Sequence, residues 1–167
     1  MDQIQRLLLS NQFKILSKID PENKDYYLES LDIVEHGYKI FYSSFLEHLY
    51  PEMEASTGGF VLDVLDLYCA AELYKFGDGD LSGLRHTVFS GFDGNTETEY
   101  MTFTRFLIEK QNKFSELAKL KSTTDNYNSH IPMISIYTKL VDKWKNTMDG
   151  NWPETREQFE QIFEKNL

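Results

Sequence analysis

FVLDVLDLYCAAELYKF, residues 60–76, is apolar around most of a helical circumference rather than along one stripe. A helix of that kind is surrounded by its own protein, so this stretch is expected to be the central helix of a helical core. Gly58-Gly59 opens it, and the next segment changes character at once. Gly77 to Gly94 holds five of the nine glycines and is the least regular part of the chain. It is expected to cross the bundle or line a site, with a short extended piece at His86-Thr87-Val88-Phe89.

Helical spacing resumes on both sides. Thr96-Glu97-Thr98-Glu99 has the capping-box pattern, which predicts a helix running to about Leu120 with Tyr100, Phe103, Phe106, Leu107, Phe114 and Leu117 on its stripe. After a polar loop, Pro132 starts a helix carrying Met133, Tyr137, Leu140, Val141, Trp144 and Met148, and Thr155-Arg156-Glu157-Gln158 caps a short last helix. Toward the N-terminus, Ile4, Leu7, Leu8, Ile15 and Ile19 mark a helix over 2–19. Asp20-Pro21-Glu22 is a start signal for a second helix, which Gly37 stops after His36. Tyr38, Phe41, Tyr42, Phe45 and Leu49 predict a third helix ended by Pro51. The expectation is all-α: one domain over 1–167, a compact bundle of about seven helices with one irregular glycine-rich crossover segment.

Composition narrows the function. With 41% hydrophobic and 14% aromatic residues the 167-residue chain is globular rather than disordered. Its net charge of -10, from 27 acidic against 17 basic residues, repels phosphate backbones and anionic headgroups, so neither nucleic acid nor membrane is the expected partner. Cys69 is the only cysteine, which excludes an intrachain disulfide and fits a cytoplasmic protein.

Several short landmarks follow one another along the chain: Leu9-Ser10-Asn11-Gln12-Phe13-Lys14, Ile19-Asp20-Pro21, Glu35-His36-Gly37-Tyr38, then Asp63, Asp66 and Tyr68. Gly91-Phe92-Asp93, Thr96-Glu97, Arg105-Phe106, Pro132-Met133, Tyr137 and Trp144 continue the series. In these features the chain resembles the YfbU family over nearly its whole length. The resemblance implies a compact helical fold in a bacterial cytosol, and it implies no particular reaction.

Candidate site residues follow from chemistry. Asp63 and Asp66 lie three apart on the apolar central helix and could hold a divalent cation or raise one another's pKa. Asp93 and Glu97 are the obvious further oxygen donors, while the bland reading makes Asp63 and Asp66 a solvent edge. His86 beside Arg85, with Asp93 and Arg105, would place a proton carrier next to anion-binding cations if the irregular segment folded over the following helix. Asn11 sits mid-stripe in the first helix, so its amide is expected in the core or in an interface, pinning the packing register. Asp78-Gly79-Asp80-Leu81-Ser82-Gly83 begins like a calcium loop, but its twelfth position is Phe89 rather than a glutamate, and it reads as an acidic turn.

No phosphate loop, nucleophile elbow or zinc motif occurs in the sequence. The leading expectation is a non-catalytic interaction or regulatory module, a homo-oligomer such as a dimer or a binder of another protein, with no cofactor. The alternative is a divalent-metal-dependent hydrolase built on Asp63, Asp66 and Asp93. A DNA-binding regulator ranks third because of the negative charge.

Overall fold

The computed structural model describes residues 1–149 and 151–165. The described residues are all-α, with two isolated β-bridges and no strand. Contacts gather into two compact units, Met1–Glu52 and Met53–Leu167.

The N-terminal unit is a helical hairpin followed by a tighter turn of helix. α1 spans Gln3–Ile19 and begins in a capping box: Asp2 accepts the Gln5 N–H at 2.8 Å while the Gln5 side chain accepts the Asp2 N–H at 2.9 Å. α2 spans Lys24–His36. Gly37, at φ +74°, ends it as expected, with the Gly37 and Tyr38 N–H groups both donating to Ile33 C=O. Arg6 closes the hairpin by donating to the last carbonyls of α2, Val34 at 2.8 Å and Glu35 at 2.7 Å. The start of α2 differs from expectation. Asp20 accepts the Tyr27 hydroxyl and the Asn23 amide instead of capping, and the helix begins only after Asn23. The third helix is a 3₁₀-helix over Lys39–Leu46. There the Ser44 hydroxyl donates to Phe41 C=O, a local bond that competes with the regular ladder.

The buried residues of the hairpin are Ser10, Phe13 and Ser17 on α1 and Ser30 and Val34 on α2. Small serines let two helix backbones approach closely. The apolar stripe read from the sequence faces the other way: Ile4, Leu7, Leu8, Ile15 and Ile19 are between 59 and 72% exposed. Asn11 lies on this face and is exposed, which overturns a core position for its amide. At 100° per residue the buried set and the bare stripe fall on opposite sides of α1, so the helix has two apolar faces and the hairpin uses one.

In the C-terminal unit, α3 spans Ala55–Phe76 and is buried nearly all round, as its sequence required. It starts one turn earlier than expected because Gly58 sits inside the helix, where a side chain would crowd Met53 and Phe103. α4 (Thr98–Arg105), α5 (Ser115–Ala118) and α6 (Ile134–Met148) pack on α3, and α7 (Arg156–Ile162) packs on α6. The final capping box forms as read, with Thr155 accepting from Gln158 and returning the bond. The long fifth helix does not form. α4 widens into a π-turn over Phe106–Lys110, and left-handed Asn112 and Phe114 break the chain before α5.

The glycine-rich segment crosses the core of this unit. Leu81, Leu84, Phe89 and Phe92 are buried in it, with Phe92 edge-on to Tyr137 at 5.3 Å and Phe89 tilted on Tyr68 at 5.5 Å. Burial of each such ring is worth roughly 2–3 kcal/mol relative to exposure. The segment is tied down at Gly91, φ +87°, where an added Cβ would stand 2.1 Å from Tyr127 O. Beside it Phe92 N–H donates to Tyr127 C=O, and Tyr137 OH donates to Gly91 C=O at 3.0 Å. No extended strand occurs at 86–89; His86 adopts φ +60° instead.

Candidate functional site

The four carboxylates divide into two pairs with different partners. Asp63, on α3, pairs with Lys145 of α6. Asp66, one turn on, is half-buried; its carboxyl is pushed up chiefly by desolvation and secondarily by the charge of Asp63.

Asp93 and Glu97 are both buried and act on backbone. Glu97 accepts three N–H groups: Asp93 at 3.0 Å through one oxygen, and Met133 and Ile134 at 2.7 and 2.9 Å through the other. Its second oxygen therefore caps α6, which has no side-chain cap of its own. Asp93 accepts the Thr96 hydroxyl at 2.6 Å and the Thr96 N–H at 3.0 Å. Hydrogen bonding from Thr96 holds its carboxyl below the usual range, against the opposing effect of burial. The Thr96-to-Glu99 box is thus replaced by an Asp93–Glu97 arrangement that starts one turn earlier. Among the described residues, no group of three or more His, Cys, Asp or Glu side chains is placed to hold a metal ion.

The basic and imidazole candidates are engaged separately. His86 is half-buried, and its carbonyl accepts the Tyr68 hydroxyl at 2.9 Å. Arg105 donates from Nε to Asn126 C=O at 2.8 Å, while the Arg85 N–H bonds Glu164 C=O. In the acidic turn, Asp80 accepts the Ser82 N–H and hydroxyl, each at 2.7 Å.

Glu72, which the sequence reading passed over, is buried on α3 between Lys75 and Lys119, the latter 2.7 Å away. Burial alone would raise its carboxyl, but the hydrogen bonds from Lys119 and Lys75 outweigh it and the net direction is down. Glu72 borders a cavity of about 410 Å³ lined also by Leu73, Phe76, Glu116 and Lys119. Cys69 donates to Glu116 at 3.6 Å, and desolvation, with Glu116 adding, pushes its thiol up to about 12. Burial in surroundings of this kind suppresses thiolate chemistry.

A run of exposed aliphatic side chains lies on the bare face of α1. Beside it opens a cavity of about 510 Å³ lined by Leu8, Leu9, Gln12, Tyr42, Phe45 and Leu46. Leu46 and, further along the 3₁₀-helix, Ile40 are well exposed. Contiguous apolar surface beyond a few hundred Å² marks an interaction site. The sequence carried this signal as two apolar sets on α1, one through Leu9, Phe13 and Leu16 and one through Ile4, Leu8 and Ile15. No described helix is long and apolar enough to cross a membrane.

A model described as the YfbU domain matches residues 1–164, covering both compact units. The chain is also 44% identical over 162 residues to UPF0304 protein MJECS11 of Methanocaldococcus jannaschii, covering 95% of each chain. That relative is archaeal, so the bacterial setting expected from the resemblance is too narrow. On the extent of the domain match and the identity to this relative, the chain belongs to the YfbU family.

Proposed function

We propose that this protein is a non-catalytic interaction module that works by protein–protein contact through its N-terminal unit. The observation that carries the reading is the reversed hairpin: serines in the helix–helix seam and a row of aliphatic side chains in water. Surface of that kind is costly to leave wet, and covering it is the main driving force of protein association. The carboxylates fit the same reading. Asp93 and Glu97 are occupied with backbone donors and Asp63 with a lysine, as structural carboxylates are.

The test is sedimentation equilibrium of the full chain over a wide concentration range, beside the double variant Leu8→Glu plus Ile15→Glu. Both positions are exposed, so the variant keeps its helical circular dichroism and melting temperature. Self-association of the parent that the variant abolishes supports the reading. A parent that stays monomeric, with solubility unchanged by the two charges, overturns it.

A further inference from the structure

The bare face of α1 has a symmetry that identifies what covers it. Taken about the midpoint between Asn11 and Gln12, its residues pair by type: Ile4 with Ile19, Leu8 with Ile15, and Asn11 with Gln12, while exposed Leu7 falls opposite half-buried Leu16 at the margin. On a helical projection Leu8, Ile15, Ile4 and Ile19 lie within about 30° of the direction through that midpoint, with the two amides flanking it and Leu7 and Leu16 at the margins. A helix face with this arrangement is complementary to a second copy of itself turned end for end.

We infer that two copies of this chain pair through α1, antiparallel, about a two-fold axis passing between Asn11 and Gln12. This inference rests on the interaction reading above and adds the occupant and its geometry. Leu8 packs beside Ile15 of the second copy and Ile4 beside its Ile19, giving an apolar contact twice over, as an isologous interface requires. At the axis, Asn11 of each copy faces Gln12 of the other, so two amides that are solvated in the single chain can bond across the seam. The antiparallel arrangement also opposes the two helix dipoles and brings Lys18 within a turn of Asp2 of the other copy.

The apolar area reaches the lower end of a standard interface. The five side chains Ile4, Leu7, Leu8, Ile15 and Ile19 expose about 600 Å² by their fractional accessibilities, against roughly 800 Å² per partner in a standard interface. Exposed Leu46 and the apolar cavity beside Leu8 and Gln12 adjoin this face. An interface of this kind assigns Asn11 the role that a single polar residue has in a helix pair, fixing register at some expense of affinity.

The deciding experiment is cross-linking of the full chain carrying Cys69→Ala. One preparation has Ile4→Cys, another Ile19→Cys, and each is treated with a short bismaleimide alone and after mixing. Positions 4 and 19 of opposite copies are neighbours, whereas two copies of position 4 stand about 22 Å apart along the helices. A covalent dimer from the mixture, with little from either variant alone, is the expected result. Cross-linking of Ile4→Cys with itself means a parallel pair and overturns the geometry. A parent that sediments as a dimer but yields no link in the mixture overturns the α1 pairing while leaving the interaction reading standing; a monomeric parent overturns the α1 pairing, and the interaction reading falls with it only when charges at positions 8 and 15 leave solubility unchanged. Asn11→Leu gives a second measurement that does not depend on the cysteines, since the position is exposed in the single chain. It should tighten the dimer by at least about tenfold, and an unchanged dissociation constant rejects the inferred axis.

Discussion

Glu97 is the side chain whose removal should cost most for its size. It is 4% exposed and satisfies the N–H groups of Asp93, Met133 and Ile134 at 3.0, 2.7 and 2.9 Å. Glu97→Ala leaves three donors without an acceptor, two of them on buried residues. Each buried unsatisfied donor costs roughly 1–3 kcal/mol, and water can reach Ile134, so the expected loss is about 4 kcal/mol. That corresponds to a fall in melting temperature of roughly 8–16 °C for a chain of this size. Glu97→Gln keeps one oxygen for the start of α6 but turns an amide N–H₂ toward the Asp93 N–H, for a loss of about 1–2 kcal/mol. Urea unfolding followed by circular dichroism and by the fluorescence of the buried Trp144 measures both, and the denaturant slope should not change. A Glu97→Ala protein within about 1 kcal/mol of the parent would refute the capping role and return this carboxylate to the pool of free acids.

Gly91→Ala should destabilise by about 3 kcal/mol or more, because the added methyl collides with the Tyr127 carbonyl and the residue must hold a left-handed conformation; a thermal melt within 2 °C of the parent is the contrary result. Cys69 should react with a thiol reagent at pH 8 only as fast as the native fold opens, with full reactivity restored in urea; fast labelling of the folded protein contradicts its burial. Glu72 has a folded-state pKa below its ordinary 4.5, so its stabilising contribution is complete above that value and is lost as pH falls through the folded value. Glu72→Gln should therefore flatten the acid loss of stability below about pH 4.5, and a parent and variant with parallel pH profiles would contradict this. Magnesium, manganese and zinc should leave the melting temperature unchanged; a rise that Asp63→Ala plus Asp66→Ala abolishes would bring the metal-hydrolase reading forward.

How much of this was legible in the sequence depended on whether one residue or several had to be placed. The central helix could be read from Phe60–Phe76 because a helix apolar nearly all round yet carrying Asp63, Asp66 and Glu72 is surrounded by its own protein. Gly37 and Thr155 marked true helix ends because a left-handed glycine and a reciprocal box are local devices. The long fifth helix was misread because apolar spacing continues through Phe106 and Phe114 while polar 110–113 takes the turn. Overlapping patterns hid the Asp93–Glu97 cap, since Thr96 and Glu99 fit the same rule one turn later. Glu97 bonds residues more than thirty positions away, and no local signal announces that. Asn11 was placed on the right stripe but left between core and interface, and its exposure rules out the core alone, because periodicity identifies an apolar face without saying which of two faces the chain itself covers.

The pairing inferred through the bare aliphatic face also predicts a response to temperature. Contacts between alkyl surfaces are driven near 25 °C almost entirely by released water and carry a negative heat-capacity change, so they weaken on cooling. An assembly held by Ile4, Leu8, Ile15 and Ile19 therefore loosens in the cold and tightens with warming or with sulfate. Its assembled fraction measured on ice understates the fraction at growth temperature, and the sign of that change separates an alkyl seam from one made by ion pairs.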